Sequence, residues 1–346
     1  MKAAGAGSVR VSKGVRIRAG MVSVGDPDKH YVPPQRSAPI TADADRAQRQ
    51  IEEIWETRPT LEGAGVRLER AFGNPQVPRL DPFLLLDDFR SEEPQDYLAG
   101  FPWHPHRGIQ TVTYMLDGYV DHGDSLGNAG RIGPGDVQWM SAGSGIIHQE
   151  MPKGEKDVMG GLQLWVNVPA ADKMARPGYQ EYKSENIPTL HGDGHAVRLV
   201  SGRYRGMEGP VRDIAVRPQF LDITMEPGRA FEHDIPGGHR AFAYVLDGAA
   251  RFEEGHDRIE DHHVVLFRDG DHVRVETTGD PVRFLLVSGR PLKEPVAWWG
   301  PIVMNTQREL DEAVADLQKG TFVKTGAEST GDAASMRRPS SATGAT

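Results

Sequence analysis

Four side chains in this sequence have the types and the spacing to hold a metal ion. His104 and His106 stand two residues apart in GFPWHPHRGIQTVTYMLDG, and His148 and Glu150 stand two apart in SAGSGIIHQEMP. Successive side chains alternate along a β-strand, so residues i and i+2 share a face. The first pair therefore projects together while Pro105 points away, and the second does the same around Gln149. If both strands line one barrel, three imidazoles and one carboxylate converge, a donor set that suits Fe, Mn, Ni, Cu or Zn. Such a set leaves room on an octahedral ion, which a catalytic metal needs and a closed tetrahedral zinc does not. One such pair specifies little, and it is the second pair in the same barrel that singles out a site. The two glycines of SAGSGII would let backbone approach the site closely.

The elements that must position these residues are strands. From about residue 62 to 300 the chain runs in short alternating stretches broken by Gly, Pro, Asp and Asn. TVTYML, GDVQWM, LQLWVNV, HAVRLVSG, FLDITM, AFAYVL and VRFLLVSG all read this way. Many short strands at such spacing build a sandwich or barrel. YMLDGYV from Tyr114 and YVLDGAA from Tyr244 form an internal repeat, each a strand before an Asp-Gly turn that favours a hairpin. The repeat predicts an all-β protein of two antiparallel barrels, over 62–185 and 186–322. Counting back from the second Asp-Gly, Asp234 and Pro236 take the places of His104 and His106. The second barrel is therefore expected to bind no metal, with His233, His239, His262 and His263 as surface or loop residues.

Outside the barrels, residues 1–40 carry Gly, Pro and Ser without periodicity and read as a disordered tail. The first 25 residues are basic and free of acids, a composition shared with transit peptides and with simple basic tails. Ala47, Ile51, Ile54 and Trp55 fall at helical spacing and predict an amphipathic helix over 41–58. At the far end NTQRELDEAVADLQKGTF predicts a helix with a Thr306/Glu309 capping box. Its buried stripe is Leu310, Ala313, Val314 and Leu317, and it stops at Gly320. Residues 323–346 are small and polar and read as a second disordered tail.

The sequence has no cysteine. That excludes disulfides, thiolate metal ligands and thiol nucleophiles, and is compatible with a reducing cytosol, so a cytoplasmic location is the expectation. A net charge of −9 leaves no basic footprint for nucleic acid. No apolar run approaches the roughly 18 residues of a membrane span.

The run LDPFLLLDDF…GFPWHPHRGIQTVTYMLDGYVDHGDSLGNAGRIGPGDVQWMSAGSGIIHQEMP…GLQLWVN, with GPIVMNTQREL near the end, resembles the pirin family of the cupin superfamily over residues 62–322. The resemblance implies two cupin-type barrels packed face to face. It also implies one metal, usually iron as Fe(II), in the N-terminal barrel, on His104, His106, His148 and Glu150. Cupins in general carry a glutamate shortly after their HxH, where this sequence has Gln110. Because pirins take their carboxylate from the later motif, that change leaves the ligand set whole. Two roles follow from the resemblance. One is quercetin 2,3-dioxygenase-type cleavage of a small aromatic substrate such as a flavonol, with Glu150 as candidate base. The other is regulatory binding of a protein partner, a transcription factor or metabolic enzyme, without turnover.

Three further residues are candidates for lining the substrate. Phe101 and Trp103 flank the first pair and could wall a flat ring, or simply pack. Gln163, on the strand LQLWVN, could orient a ligand, or sit as a satisfied interior amide. His122 and Asp124 are read as turn hydrogen-bonders rather than metal ligands.

Overall fold

Which face of each strand is buried explains how the alternating runs assemble. In strand Ile109–Asp117, Val112 and Tyr114 point to one face and Thr111, Thr113 and Met115 to the other, and all five are buried. Strand Gly160–Asn167 is similar, with Leu162, Leu164 and Val166 buried on one face and Gln163 and Trp165 half-buried on the other. A strand buried on both faces must lie between two layers.

The computed structural model, which describes residues 46–153 and 158–324, supplies both layers. Seven strands form one antiparallel sheet in the order Gly178–Tyr182, Val137–Ser141, Ile109–Asp117, Gly160–Asn167, Phe83–Asp88, Val66–Phe72, Arg58–Glu62. A four-stranded sheet, Phe101–His106, Ile146–Lys153, Tyr119–Asp124 and Ala129–Ile132, faces it to make the first barrel. The second barrel sets an eight-stranded sheet against the pair Ala230–Asp234 and His272–Glu276. The two large sheets meet back to back. Leu86, Val112 and Leu164 from the first interdigitate with Phe220, Phe242 and Leu285 from the second. Each such side chain, fully buried, contributes about 1.5–3 kcal/mol relative to exposure. The expected all-β, two-barrel architecture is the one observed. Among the described residues no helix is long and apolar enough to cross a membrane.

The two tyrosines of the repeat cross this interface in opposite directions. Tyr114 Oη donates to Asp222 at 2.7 Å, and Tyr244 Oη donates to Asp88 at 2.7 Å. Arg283 holds Asp222 through two nitrogens, at 3.0 and 2.7 Å, and Arg90 holds Asp88 in the same way. The barrels also exchange their chain ends. The hairpin Ala297–Trp299/Ile302–Met304 and helix Gln307–Lys319 pack on the first barrel, where Arg107 meets Asp316 at 2.9 Å and the Phe322 carbonyl at 2.9 Å. The helix has the expected capping box, and Gly320 ends it at φ 71°.

Four expectations need correction. No helix forms within 41–58 among the described residues: Ile51–Glu56 is a strand that pairs antiparallel with His263–Phe267. That strand would otherwise leave a sheet edge unpaired, and ladder formation by Ile51, Ile54 and Trp55 overrides the helical spacing. The Asp-Gly steps do not make hairpins. After Gly118 the chain leaves the large sheet for the small one, and Arg240–Ala250 runs straight through Gly248 with a register shift. A Cβ on Gly248, at φ 76°, would meet the Pro281 carbonyl oxygen at 2.0 Å, so only glycine fits there. His233 and His239 are buried rather than on the surface. They hydrogen-bond Gln219 Oε1 at 3.1 Å and Ser288 Oγ at 3.2 Å, and burial lowers both rings to about 4. His122 is a strand residue with Nε2 3.0 Å from Glu181 Oε2. Asp124 does cap its turn, accepting from Leu126 N at 2.7 Å and Asn128 N at 3.0 Å. The tail expected over 1–40 lies outside the described residues, and of the one expected over 323–346 only Val323 and Lys324 are described, with Lys324 Nζ 2.7 Å from Asp316 Oδ2.

Removing one crossing hydroxyl leaves a buried Asp88 oxygen short of a donor. Tyr244→Phe is expected to lower the stability of the whole chain by about 1–3 kcal/mol in urea denaturation, with the fold kept. A change below the error of the measurement would show that the crossing contacts contribute nothing.

Candidate metal centre

Strands Phe101–His106 and Ile146–Lys153 are antiparallel neighbours, and their register puts His104 directly opposite His148. A shift in the ladder follows, so that Glu150 pairs with Phe101 on one side and with His122 on the other. Alternation and register together bring His104, His106 and His148 into one group, with one ring nitrogen from each lying within 4.8 Å of the others. The ring centroids are 4.3 to 5.0 Å apart. The edge of Trp165 packs on His106 at 5.1 Å.

The hydrogen bonds determine the tautomers. His104 Nδ1 donates to the Pro102 carbonyl at 2.8 Å and His106 Nδ1 to the Pro301 carbonyl at 3.0 Å, because a carbonyl can only accept. In its neutral form each ring thus carries its proton on Nδ1. The two Nε2 atoms face each other across 3.1 Å. His148 is buried with neither ring nitrogen partnered. Burial holds His106 at about 3 and His148 well below its ordinary value, so both rings stay in the form that ligates. A buried imidazole with neither nitrogen partnered is costly in a dry interior and is relieved by a cation. The site therefore fits a divalent metal, and the peptide carbonyls behind His104 and His106 orient the rings as outer partners of a metal site do.

Glu150 lies beside this group rather than inside it, and its side chain is engaged by other residues. Thr113 Oγ1 is 2.9 Å from Glu150 Oε1 and 2.6 Å from Gln163 Oε1, and Gln163 Nε2 is 3.5 Å from Glu150 Oε2. Thr113 has one proton and two neighbours that would accept it. All three groups are satisfied when Glu150 is protonated and donates to Thr113, Thr113 donates to Gln163, and Gln163 returns an N–H to Glu150. Burial, the largest influence on Glu150, pushes its carboxyl upward, against His104 and Thr113, in agreement with that arrangement.

A cavity of about 650 Å³ opens beside the group. His104, His106 and Glu150 reach it, and so do the expected Phe101, Trp103 and Gln163. Trp103 is 42% exposed at its rim, while Phe101 packs against Val66, Tyr97 and their neighbours. Gln110, where cupins carry glutamate, is not part of this wall. It accepts from Trp139 Nε1 at 3.0 Å and donates to Ser141 Oγ at 3.0 Å. The glycines of SAGSGII make room for other backbone than the site's own: a Cβ on Gly145 would meet the Phe322 carbonyl oxygen at 2.4 Å. Sequence reasoning missed Thr113, whose signal is a polar residue on a strand buried on both faces. It also missed Trp298 and Pro301, which come from the far end of the chain and carry no local signal.

Comparison with known proteins covers both barrels. Residues 65–166 match the family model described as Pirin, and residues 220–323 match the one described as Pirin C-terminal cupin domain. A pirin-like protein of Caulobacter vibrioides is 45% identical over 79% of this chain and 99% of its own. Human pirin is 42% identical over 76% of this chain and 90% of its own. The crystal structure of a quercetin 2,3-dioxygenase from Acinetobacter baumannii superposes with a TM-score of 0.74 at 32% identity. That match covers 80% of this chain and 99% of the other.

His148→Ala is expected to abolish metal retention, from about one ion per chain to less than a tenth of that by elemental analysis, while thermal unfolding stays cooperative. Full metal content in the variant would remove His148 from the ligand set. The metal-free protein should also lose stability in acid. Burial lowers folded His106 from 6.5 to about 3, so the unfolded chain binds the proton first. This contribution is complete above about pH 6.5 and is lost as the pH falls through the window down to about 3. The urea midpoint of metal-free protein should fall between pH 7 and 4.5, and a flat profile would contradict the assignment.

Proposed function

This chain belongs to the pirin family, and on that premise we propose that it is a metal-dependent dioxygenase of the quercetin 2,3-dioxygenase type, acting on a flavonol-like substrate. The observation that supports this reading best is the cavity beside the imidazole group. A volume of about 650 Å³ is of the size small-molecule sites use, and it is walled by aromatic and aliphatic side chains. Among these, Trp103, Trp165 and Trp298 suit a flat ring system. In this reading His104, His106, His148 and Glu150 hold one divalent ion, Fe(II). When bound, the ion supplies Lewis-acid polarisation of a substrate oxygen and the redox capacity that O2 chemistry needs.

The protein's own groups handle the proton. A flavonol must lose its hydroxyl proton before its ring can be attacked, and Glu150 is the carboxylate at hand, its proton affinity already raised by burial. The Thr113 hydroxyl and Gln163 amide fit the protonated form of Glu150, so they would keep the transferred proton in place. The carbonyls of Pro102 and Pro301 fix the two histidine rings through their Nδ1 protons, which would leave both Nε2 atoms available to hold the ion. Apolar side chains such as Leu85, Val120 and Met159 limit water in the cavity and strengthen the electrostatics there.

Protein loaded with Fe(II) without oxygen and then given quercetin and O2 is expected to take up oxygen and release carbon monoxide, and His148→Ala to do neither. Glu150→Gln, compared with wild type at equal iron content, should show turnover reduced about 10²–10⁴-fold. A protein shown to carry one iron that consumes no oxygen would refute the dioxygenase reading.

A further inference from the structure

A row of polar side chains crosses the inner face of the seven-stranded sheet. Thr113 pairs with Gln163 across one ladder, Gln163 with Asp87 across the next, and Asp87 with Arg70 across the third. Residues paired in register emerge on the same face, and all four line the cavity. Thr113 marks the metal end, since it bonds Glu150. At 4.7–4.9 Å per strand, Arg70 lies about 14 Å away along the row.

The far end is built differently from the metal end. Asp87 accepts from Arg70 Nε and Nη2, each at 2.8 Å, and Glu62 Oε1 lies 2.9 Å from Nη2. Arg70 Nη1 has no partner among the described residues, and the Arg70 side chain is 12% exposed. One guanidinium therefore sits between two carboxylates with a donor arm to spare. An anionic ligand would meet an excess of negative charge here. A hydroxyl is both donor and acceptor, so it can give its proton to a carboxylate and accept from Nη1.

We propose that Arg70, held in place by Asp87 and flanked by Glu62, is the specificity-determining residue that receives a phenolic hydroxyl at the end of the substrate remote from the metal. The proposal rests on the flavonol reading above and adds an orientation to it. The oxygenated ring edge that meets the metal lies by His104 and His106, and the hydroxylated outer ring lies by Arg70. The Arg70 guanidinium reaches the Asp87 carboxylate on the next strand toward the metal end, and the outer ring of a flavonol, attached beside its metal-binding edge, extends toward it. The site should accordingly favour hydroxylated outer rings over unsubstituted ones and over rings carrying sulfate or carboxylate.

The test compares two flavonols that share the metal-binding edge. Quercetin has hydroxyls on its outer ring, and galangin has none. Binding to the full chain loaded with Fe(II) without oxygen is read by quenching of tryptophan fluorescence. Wild type is expected to bind quercetin about tenfold more tightly than galangin, the value of a hydrogen bond to a charged group. In Arg70→Met the ratio of the two Kd values should fall toward one. If that variant does not fold, Arg70→Lys keeps the charge but not the forked donors, and the same fall is expected. A wild-type ratio near one, or a ratio unchanged in the variants, overturns the proposal. If neither flavonol binds, both this proposal and the flavonol reading fail. Selective binding that depends on Arg70 but is followed by no oxygen uptake would sink the dioxygenase reading and leave the Arg70 assignment standing.

Discussion

His104 Nε2 and His106 Nε2 face each other across 3.1 Å, and the first barrel is organised around them. Each ring is fixed by a peptide carbonyl that takes its other nitrogen's proton. Left in water, two rings held this way would turn apart or recruit a proton. Here the strand Phe101–His106, its neighbour Ile146–Lys153 and the edge of Trp165 prevent the first, and burial opposes the second. The arrangement is matched to a cation.

Holding that geometry depends on the far end of the chain. The carbonyl that orients His106 belongs to Pro301, in the hairpin that follows the second barrel. Lys173, fully buried, ties the same hairpin to the histidine loop by donating to the carbonyls of Val303 at 3.0 Å and Gly108 at 2.9 Å and to Asn167 Oδ1 at 2.7 Å. Because its partners are neutral, burial dominates and lowers the ammonium to about 8. Arg107, next in sequence to His106, lies over the Phe322 ring at 4.2 Å and meets Asp316 on the terminal helix. The C-terminal segment is thus part of the site's support, and the N-terminal strand Ile51–Glu56 gives the second barrel an equivalent service at its sheet edge.

The two barrels put one scaffold to different uses. Where the first opens a cavity around its histidines, the second fills its interior with Phe231, Phe252, Phe284, Val273 and Val275. Asp234, at the place of His104, faces solvent, while His233 beside it turns inward to Gln219. The strand pair that carries the histidine group in the first barrel therefore presents apolar groups and one satisfied imidazole in the second. Hydrocarbon packing stabilises the second barrel, and the buried polar groups of the first require partners.

Much of this was written in the sequence. Period-two alternation marks the strands, because a strand's faces are set by stereochemistry alone. The same rule placed His104 with His106, and His148 with Glu150. The capping box of the terminal helix is equally local, as Thr306 and Glu309 need only each other. Other features needed the third dimension. Residues 51–56 have a spacing that suits helix or strand, and an open sheet edge decided between them. The Asp-Gly steps were turned from hairpins into a barrel corner and a register shift by the sheets on either side. No local pattern could bring Pro301 to His106 across 195 residues, or set Arg70 three strands from Thr113. Sequence by itself determined which side chains share a face. Tertiary structure decided which faces meet, because that depends on burying apolar surface and satisfying backbone groups over the whole chain at once.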